Sequence, residues 1–181
     1  MLRLRTLKLK DKPKILKWRN TKDVSKFMYS EHKITKSEHD IWFSNAIKNK
    51  NGYHWIVEFN GDSIGLASIT DIDEKNSRCS TGFYLIDFEP RRGIGTFVKY
   101  SLIDWSFNEL NINKVCSEHL AFNEAIITLN RKIGLSQEGY FRQHISKNGI
   151  LQDVVYMSIL REEWDENKRD IEAFLKDKNL L

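Results

Sequence analysis

At 181 residues, with 40% hydrophobic and 30% charged residues, the chain suits one globular domain with a proper core rather than a disordered tail or a fibrous repeat. No apolar run approaches the length of a membrane span, and the basic stretch over residues 1–10 lacks the continuous apolar segment of a signal peptide, so a cytoplasmic protein with no membrane partner is expected. The net charge of +4 raises nucleic acid as a partner, but Lys and Arg alternate with Asp and Glu along the chain instead of clustering, and Lys8, Lys10, Lys12 and Lys14 read as a solvated strand end. A mild positive bias suits diphosphate-bearing small molecules equally well.

Residues 2–9 alternate loosely as a first strand, and Pro13 stands where a helix carrying Ile15, Leu16 and Trp18 can begin. Thr35 and Glu38 form a capping-box pattern opening a helix through Ile41, Trp42, Phe43, Ala46 and Ile47. Residues 53–59 and 63–72 read as strands joined by Asn60-Gly61, a hairpin signal. Residues 79–86, rich in aromatic and β-branched side chains, read as a central strand, and Val98, Leu102, Trp105 and Phe107 recur at helical spacing over residues 93–110. Another strand over 114–120, a helix from Asn123 to near Gly134, strands over 136–146 and 150–160 and an amphipathic helix over 162–181 complete the order. Cys79 and Cys116 fall in strands without metal-ligand spacing and the histidines are scattered, so no metal is expected.

The junction over residues 87–96, Asp-Phe-Glu-Pro-Arg-Arg-Gly-Ile-Gly-Thr, runs from a strand through a basic, glycine-bearing turn into a helix. Free amides of the first helical turn, the helix dipole and two glycines that let backbone approach a bulky anion make a phosphate cradle. It lacks the Gly-Lys-Ser/Thr of a P-loop and the third glycine of a dinucleotide fingerprint. Strand, cradle, helix, strand is a parallel crossover unit. The whole order predicts an α/β (α+β) fold, a mixed twisted sheet of about seven strands with helices on both faces, in one domain over 1–181 with its core in about 1–161.

Arg91-Arg92-Gly93-Ile94-Gly95-Thr96 resembles the acyl-coenzyme A pyrophosphate loop of the Gcn5-related N-acetyltransferases, and the stretch from Asn123 through Asn130 and Gly134 to Glu138-Gly139 resembles the second half of that fold. Trp18-Arg19-Asn20, Met28-Tyr29-Ser30, Ser37-Glu38-His39, Ser68-Ile69-Thr70-Asp71-Ile72, Gly82-Phe83-Tyr84, residues 120–125 and Phe141-Arg142-Gln143-His144 are similar to the members of pseudaminic acid biosynthesis. Those enzymes acetylate the 4-amino group of UDP-4-amino-4,6-dideoxy-N-acetyl-β-L-altrosamine. The resemblance implies acetyl-CoA as cosubstrate, a nucleotide sugar as acceptor, and strands splayed around the cradle helix so that the cofactor arm pairs with strand 79–86.

It further implies cofactor contacts from Leu85, Arg91, Arg92, Gly93, Ile94, Gly95, Thr96 and Asn123, and an acceptor pocket from Arg19, Met28, His39, Trp42, Thr70 and Tyr84. Each has an ordinary structural alternative, core packing for Met28 and Trp42 or a salt bridge for Arg19. Glu118, an acid in an otherwise apolar strand, is the candidate general base, or else a solvent-facing acid; Ser68 is placed near the amine. His119 falls on the opposite face and reads as packed; of Phe83 and Tyr84, only Tyr84 is expected to line the pocket. The family's general-acid tyrosine is replaced by Asn130, which could hydrogen-bond the sulfur, with Tyr140 as another source of a proton or none at all. Pro90 replaces the first Gln/Arg of the loop motif. A ribosomal-protein-type acetyltransferase and a noncatalytic acetyl-CoA module stay open as alternatives, and the C-terminal helix is offered as a surface for a homodimer.

Overall fold

The architecture follows from where the chain can turn. The computed structural model describes residues 1–50, 52–86 and 93–181. Pro90, Arg91 and Arg92 of the expected phosphate loop lie outside the described residues. In chain order the elements are β1 (Leu2–Thr6), α1 (Lys12–Arg19), α2 (Lys22–Ser25), α3 (Lys36–Ala46), β2 (Tyr53–Phe59), β3 (Asp62–Asp73), β4 (Arg78–Leu85), α4 (Ile94–Glu109), β5 (Lys114–Leu120), α5 (Glu124–Ile133), β6 (Ser136–Lys147), β7 (Ile150–Leu160) and α6 (Arg161–Asp177). Asn60 and Gly61 take φ of 50° and 92°, the left-handed pair that a tight hairpin needs between β2 and β3. Thr35 caps α3, accepting from Glu38 N at 3.3 Å while Glu38 Oε2 accepts from Thr35 N at 2.7 Å. Gly134, at φ 103°, stops α5 in a left-handed C-cap. The short α2 has no counterpart in the sequence reading, because four residues carry no helical periodicity.

The strands form one seven-stranded sheet in the order β1-β2-β3-β4-β5-β7-β6. Every neighbouring pair is antiparallel except β4 and β5, whose parallel crossover is made by α4. Side chains alternate across the sheet. One face carries Ala67, Ile69, Cys79, Val115, Met157 and Ile159 into the main core beneath α4 and α6. The other carries Ile56 and Leu66 against Ile15, Trp18 and Phe43 from α1 and α3.

β4 and β5 pair only at Arg78↔Lys114, Cys79↔Val115 and Ser80↔Cys116. Beyond Ser80, β4 stays bonded to β3 as far as Gly65↔Leu85, and β5 stays bonded to β7 as far as Leu120↔Val154, so the two strands part with their facing edges unpaired.

α6 packs on the chain's own core. Trp164, Ile171 and Leu175 are buried in the chain's own main core, the Trp164 ring lies 5.3 Å from Tyr100 and 6.5 Å from Phe107, and Trp164 Nε1 donates to Asp104 Oδ1 at 3.3 Å. Lys168 Nζ meets the same carboxylate at 2.6 Å and Tyr100 Oη donates to Glu172 Oε1 at 2.7 Å. Among the described residues no helix is long and apolar enough to cross a membrane, and no group of three His, Cys, Asp or Glu is placed to hold a metal ion. Trp164→Ala, which empties the joint between α4 and α6, is expected to cost about 3–5 kcal/mol in urea unfolding, as large-to-small changes of buried aromatics do.

Candidate active site

The parting of β4 and β5 opens a cavity of about 850 Å³. Because the sheet itself is interrupted there, the cavity passes from one face to the other. Thr81, Phe83 and Leu85 wall it on the α4 side, and Ser68, Gly82 and Tyr84 wall it on the side of α1 and α3. The expectation that Tyr84 alone would line the pocket and Phe83 would not is therefore corrected: alternation separates the two rings, but a gap through the sheet receives both.

On the α4 side, Gly93 precedes the helix at φ 106°, and its carbonyl accepts from Phe97 N at 2.8 Å. A Cβ on Gly93 would come within 2.8 Å of Leu180 Cδ1, and one on Gly95 within 3.3 Å of Leu129 Cδ2 and 3.7 Å of Phe83 Cζ. The glycines thus admit close approach of the chain's tail and of α5 and β4 to the start of α4. The amides of the first turn of α4 lack intrahelical acceptors, as at any helix start. Thr96 is half-buried in that turn; Ile94 is only 1% exposed and packs into the main core, which leaves its backbone for any ligand. Leu85 and Asn123 both reach the cavity wall, Asn123 as the N-cap residue of α5.

On the opposite side, Arg19 reaches into the cavity half-buried, its Nη2 donating to Ser30 Oγ at 2.7 Å, and it has no carboxylate partner among the described residues. Burial lowers its pKa without removing the charge of so basic a group. Tyr84 presses toward it; burial holds the phenol protonated, and its buried Oη has no hydrogen-bond partner among the described residues. His39 is buried, its Nε2 donates to Lys12 O at 2.7 Å, and its ring stacks on Trp42 at 5.4 Å and 24°. One ring nitrogen of His39 is therefore already committed, and the ring fixes the plane of Trp42. His54 meets Trp42 edge-on at 5.2 Å, and burial lowers its pKa; its Nδ1 has no partner among the described residues. The sequence reading passed over His54; its alternation with Ile56 on the same face was the available signal. Ser68 Oγ donates to Gly82 O at 3.3 Å and Thr70 Oγ1 to Asp71 Oδ2 at 3.1 Å, both on the cavity wall.

A loop roofs this half. Lys147 Nζ donates to the carbonyls of Ser25 at 3.0 Å, Ser30 at 3.5 Å and Met28, which holds Met28 half-buried over the cavity. Phe27 stacks on Phe122 at 5.9 Å, and Tyr29 Oη donates to Glu118 Oε1. Glu118 is exposed at the cavity rim with this phenol on one oxygen.

Asn130 does not line the cavity. It is fully buried behind His119, with Nδ2 2.8 Å from His119 Nε2 and 3.9 Å from Met157 Sδ. Tyr140 donates to Asp153 Oδ2 at 2.6 Å on the β6–β7 pair, remote from the fork. His119, expected only to pack, packs and also lines the cavity; burial pushes it down to about 3, so it is neutral. Beside it lies a cation that the sequence reading missed, Lys99, fully buried, with Nζ 2.8 Å from Thr81 Oγ1 and 2.9 Å from Ser117 Oγ. A lysine on the apolar stripe of α4, between Val98 and Leu102, was the signal for it.

Residues 1–136 match the acetyltransferase (GNAT) domain. The chain is 30% identical over 118 residues to YdaF of Bacillus subtilis, provisionally named a ribosomal N-acetyltransferase; the match covers 65% of this chain and 64% of YdaF, less than two thirds of that protein's length. It is 23% identical to the spermidine N(1)-acetyltransferase of Escherichia coli across 97% of this chain and 95% of that one. The crystal structure of spermidine N-acetyltransferase from Vibrio cholerae, a complex with CoA and spermine, superposes with a TM-score of 0.83 at 22% identity, over 90% of this chain and 97% of that one, and so shares its fold. With the domain match spanning most of the sequence and the fork and helix start in place, the chain belongs to the acetyltransferase (GNAT) domain family.

Proposed function

We propose that this protein is an acetyl-CoA-dependent N-acetyltransferase whose acceptor is the 4-amino group of a UDP-linked amino-deoxy sugar of the pseudaminic acid type. The residues suit the cosubstrate. First-turn amides of α4 with Thr96, and Arg91 and Arg92 by sequence, would take the diphosphate; the free edge of β4 past Ser80, with Leu85 and Asn123, would take the pantetheine arm. Acetyl-CoA supplies an activated acetyl group, and the chain supplies alignment of two reactants, which alone lowers the barrier substantially.

Arg19 carries the choice of acceptor. A half-buried guanidinium with one hydrogen bond and no ion pair among the described residues wants an anion, and the Oη of Tyr84, also without a partner among them, lies on the same wall. The ordered Trp42 plane, Met28 and Leu66 offer apolar contact for a deoxy sugar. Ser68, beside Gly82 where no side chain blocks the gap, sits where the amine would meet the thioester, and Glu118 at the rim would accept the amine's proton. A second reading has its own support: Asp23, Glu38 and Glu118 line the same cavity, and such acids suit a polyamine. Arg19 opposes it, since a polycation would pass beside an unpaired positive charge.

Thermal-shift titration separates these readings. UDP is expected to raise the unfolding temperature and spermidine to leave it unchanged; the reverse result replaces the sugar by a polyamine. In a thiol-release assay with UDP-amino sugars, Arg19→Ala should raise KM roughly 10–100-fold, the cost of a lost charged hydrogen bond, with coenzyme A affinity unchanged, while Glu118→Gln should lower kcat. Coenzyme A binding without turnover of any amine would make the protein a noncatalytic module. Gly93→Val, strained at positive φ and crowded by Leu180, should weaken coenzyme A binding in calorimetry by roughly tenfold or more.

A further inference from the structure

The buried cation at the closed end of the cavity has no part in that reading. Thr81 and Ser117 are the first residues beyond Ser80↔Cys116, the last β4–β5 pair. They lean across the fork toward each other: Thr81 Oγ1 donates to Cys116 O at 3.4 Å, and Ser117 Oγ lies 3.2 Å from Thr81 O and 2.8 Å from His119 Nε2. Lys99 Nζ donates to both hydroxyls. A lysine ammonium has three N–H donors. Two are taken, the third has no acceptor among the described residues, and Lys99 forms part of the cavity wall.

This position matters if the chain binds acetyl-CoA as proposed above, on which the inference rests. With the diphosphate at the start of α4 and the arm along the free edge of β4, the path from Leu85 to Thr81 covers about 14 Å at a strand's rise per residue, which brings the sulfur end to the fork. We propose that Lys99 is the acid that protonates the departing sulfur. As the acceptor nitrogen bonds to the acetyl carbon, the carbon–sulfur bond breaks with its electron pair on sulfur. One proton of the Lys99 ammonium passes to that sulfur, giving the free thiol and a neutral amine still held by Thr81 and Ser117. The surplus proton of the acetylated nitrogen passes to Glu118 at the rim and from there to water, and water reprotonates Lys99.

The energetics favour this direction. Desolvation pulls Lys99 down to about 7, below the ~8.5 of an ordinary thiol, so proton transfer to the thiolate runs downhill. The groups facing Lys99 are Cys79 from β4, Cys116 and His119 from β5 and, behind His119, Asn130 from α5; none is a carboxylate that would retain the proton. Burial pushes the Cys79 thiol up to about 11, so it brings no charge.

The test is the pH profile of kcat, with calorimetry as the check on binding. Lys99→Met should bind coenzyme A with affinity similar to the parent's. With an amine that turns over, kcat of the parent should fall as pH rises through about 7 as Lys99 loses its proton, and Lys99→Met should lose both that limb and roughly 100-fold in kcat at pH 6.5. Should Lys99→Met not fold, Ser117→Ala keeps the lysine but removes one acceptor of its ammonium, and must move the fall in kcat to lower pH. Coenzyme A bound with the falling limb of kcat kept in Lys99→Met, or an unmoved profile in Ser117→Ala, overturns Lys99 alone. Absence of coenzyme A binding in the parent overturns the acetyl-CoA reading, and this inference with it.

Discussion

Everything distinctive in this molecule follows from one interruption of hydrogen bonding, the parting of β4 from β5 after Ser80↔Cys116. A continuous sheet would have buried the amides and carbonyls of residues 81–85 against a neighbour. Interrupted, it leaves them on the wall of a cavity, where their need for partners becomes affinity for a ligand with an extended polar arm. The gap also cancels the usual separation of a sheet's faces, so side chains that alternation sends apart, Phe83 and Tyr84 or Glu118 and His119, border one space.

A fork inside a sheet must be held open, and apolar side chains would tend to close it. Here the closed end is occupied by Lys99, Thr81, Ser117, His119 and Asn130, each bonded to at least one other member. Bonded buried networks of this kind fix geometry because moving any member strands another's hydrogen bond, although Asn130 Oδ1 and the third N–H of Lys99 have no partner among the described residues. They also carry a cost in desolvation, visible in the lowered pKa of Lys99 and of His119. At the other end Arg19 keeps its charge and has no ion-pair partner among the described residues.

Much of this was legible from residue order. Asn60-Gly61, the Thr35–Glu38 box and Gly134 mark turns and helix ends through local chemistry, and local chemistry survives folding. The crossover through α4 and the glycines at its start located the cavity's entrance for the same reason. What could not be read was set by packing between distant segments. Asn130 faces His119 because α5 docks on β5, and no spacing within residues 123–134 encodes that docking. Lys99 stands on the apolar stripe of α4, but what its ammonium meets is set only when α4 is laid over the fork. The strand bounds drifted for a related reason: residues 7–9 alternate like strand, yet β1 ends at Thr6, where pairing with Trp55 of β2 ends.

The two halves of the chain meet over the cavity, and that meeting bears on how an acceptor enters. The roof loop over residues 25–30 belongs to the N-terminal half, but its fastenings lie in the C-terminal half: Lys147 Nζ on its carbonyls, Glu118 on Tyr29 and Phe122 against Phe27. Met28, Tyr29 and Ser30, with its bond to Arg19, are thus set by side chains that extend from β5, β6 and the turn after β5. The cofactor end is braced likewise from afar, by Phe174, Lys178 and Leu180 close against Gly93. The roof is fastened across the chain by Lys147, by the Tyr29–Glu118 bond and by one ring stack, with Ser30 bonded to Arg19 on its own side, rather than by strand pairing, so its opening free energy is a small part of the global one. Release of Lys147 and Tyr29 would free the loop while the fork, with its buried network, stays in place.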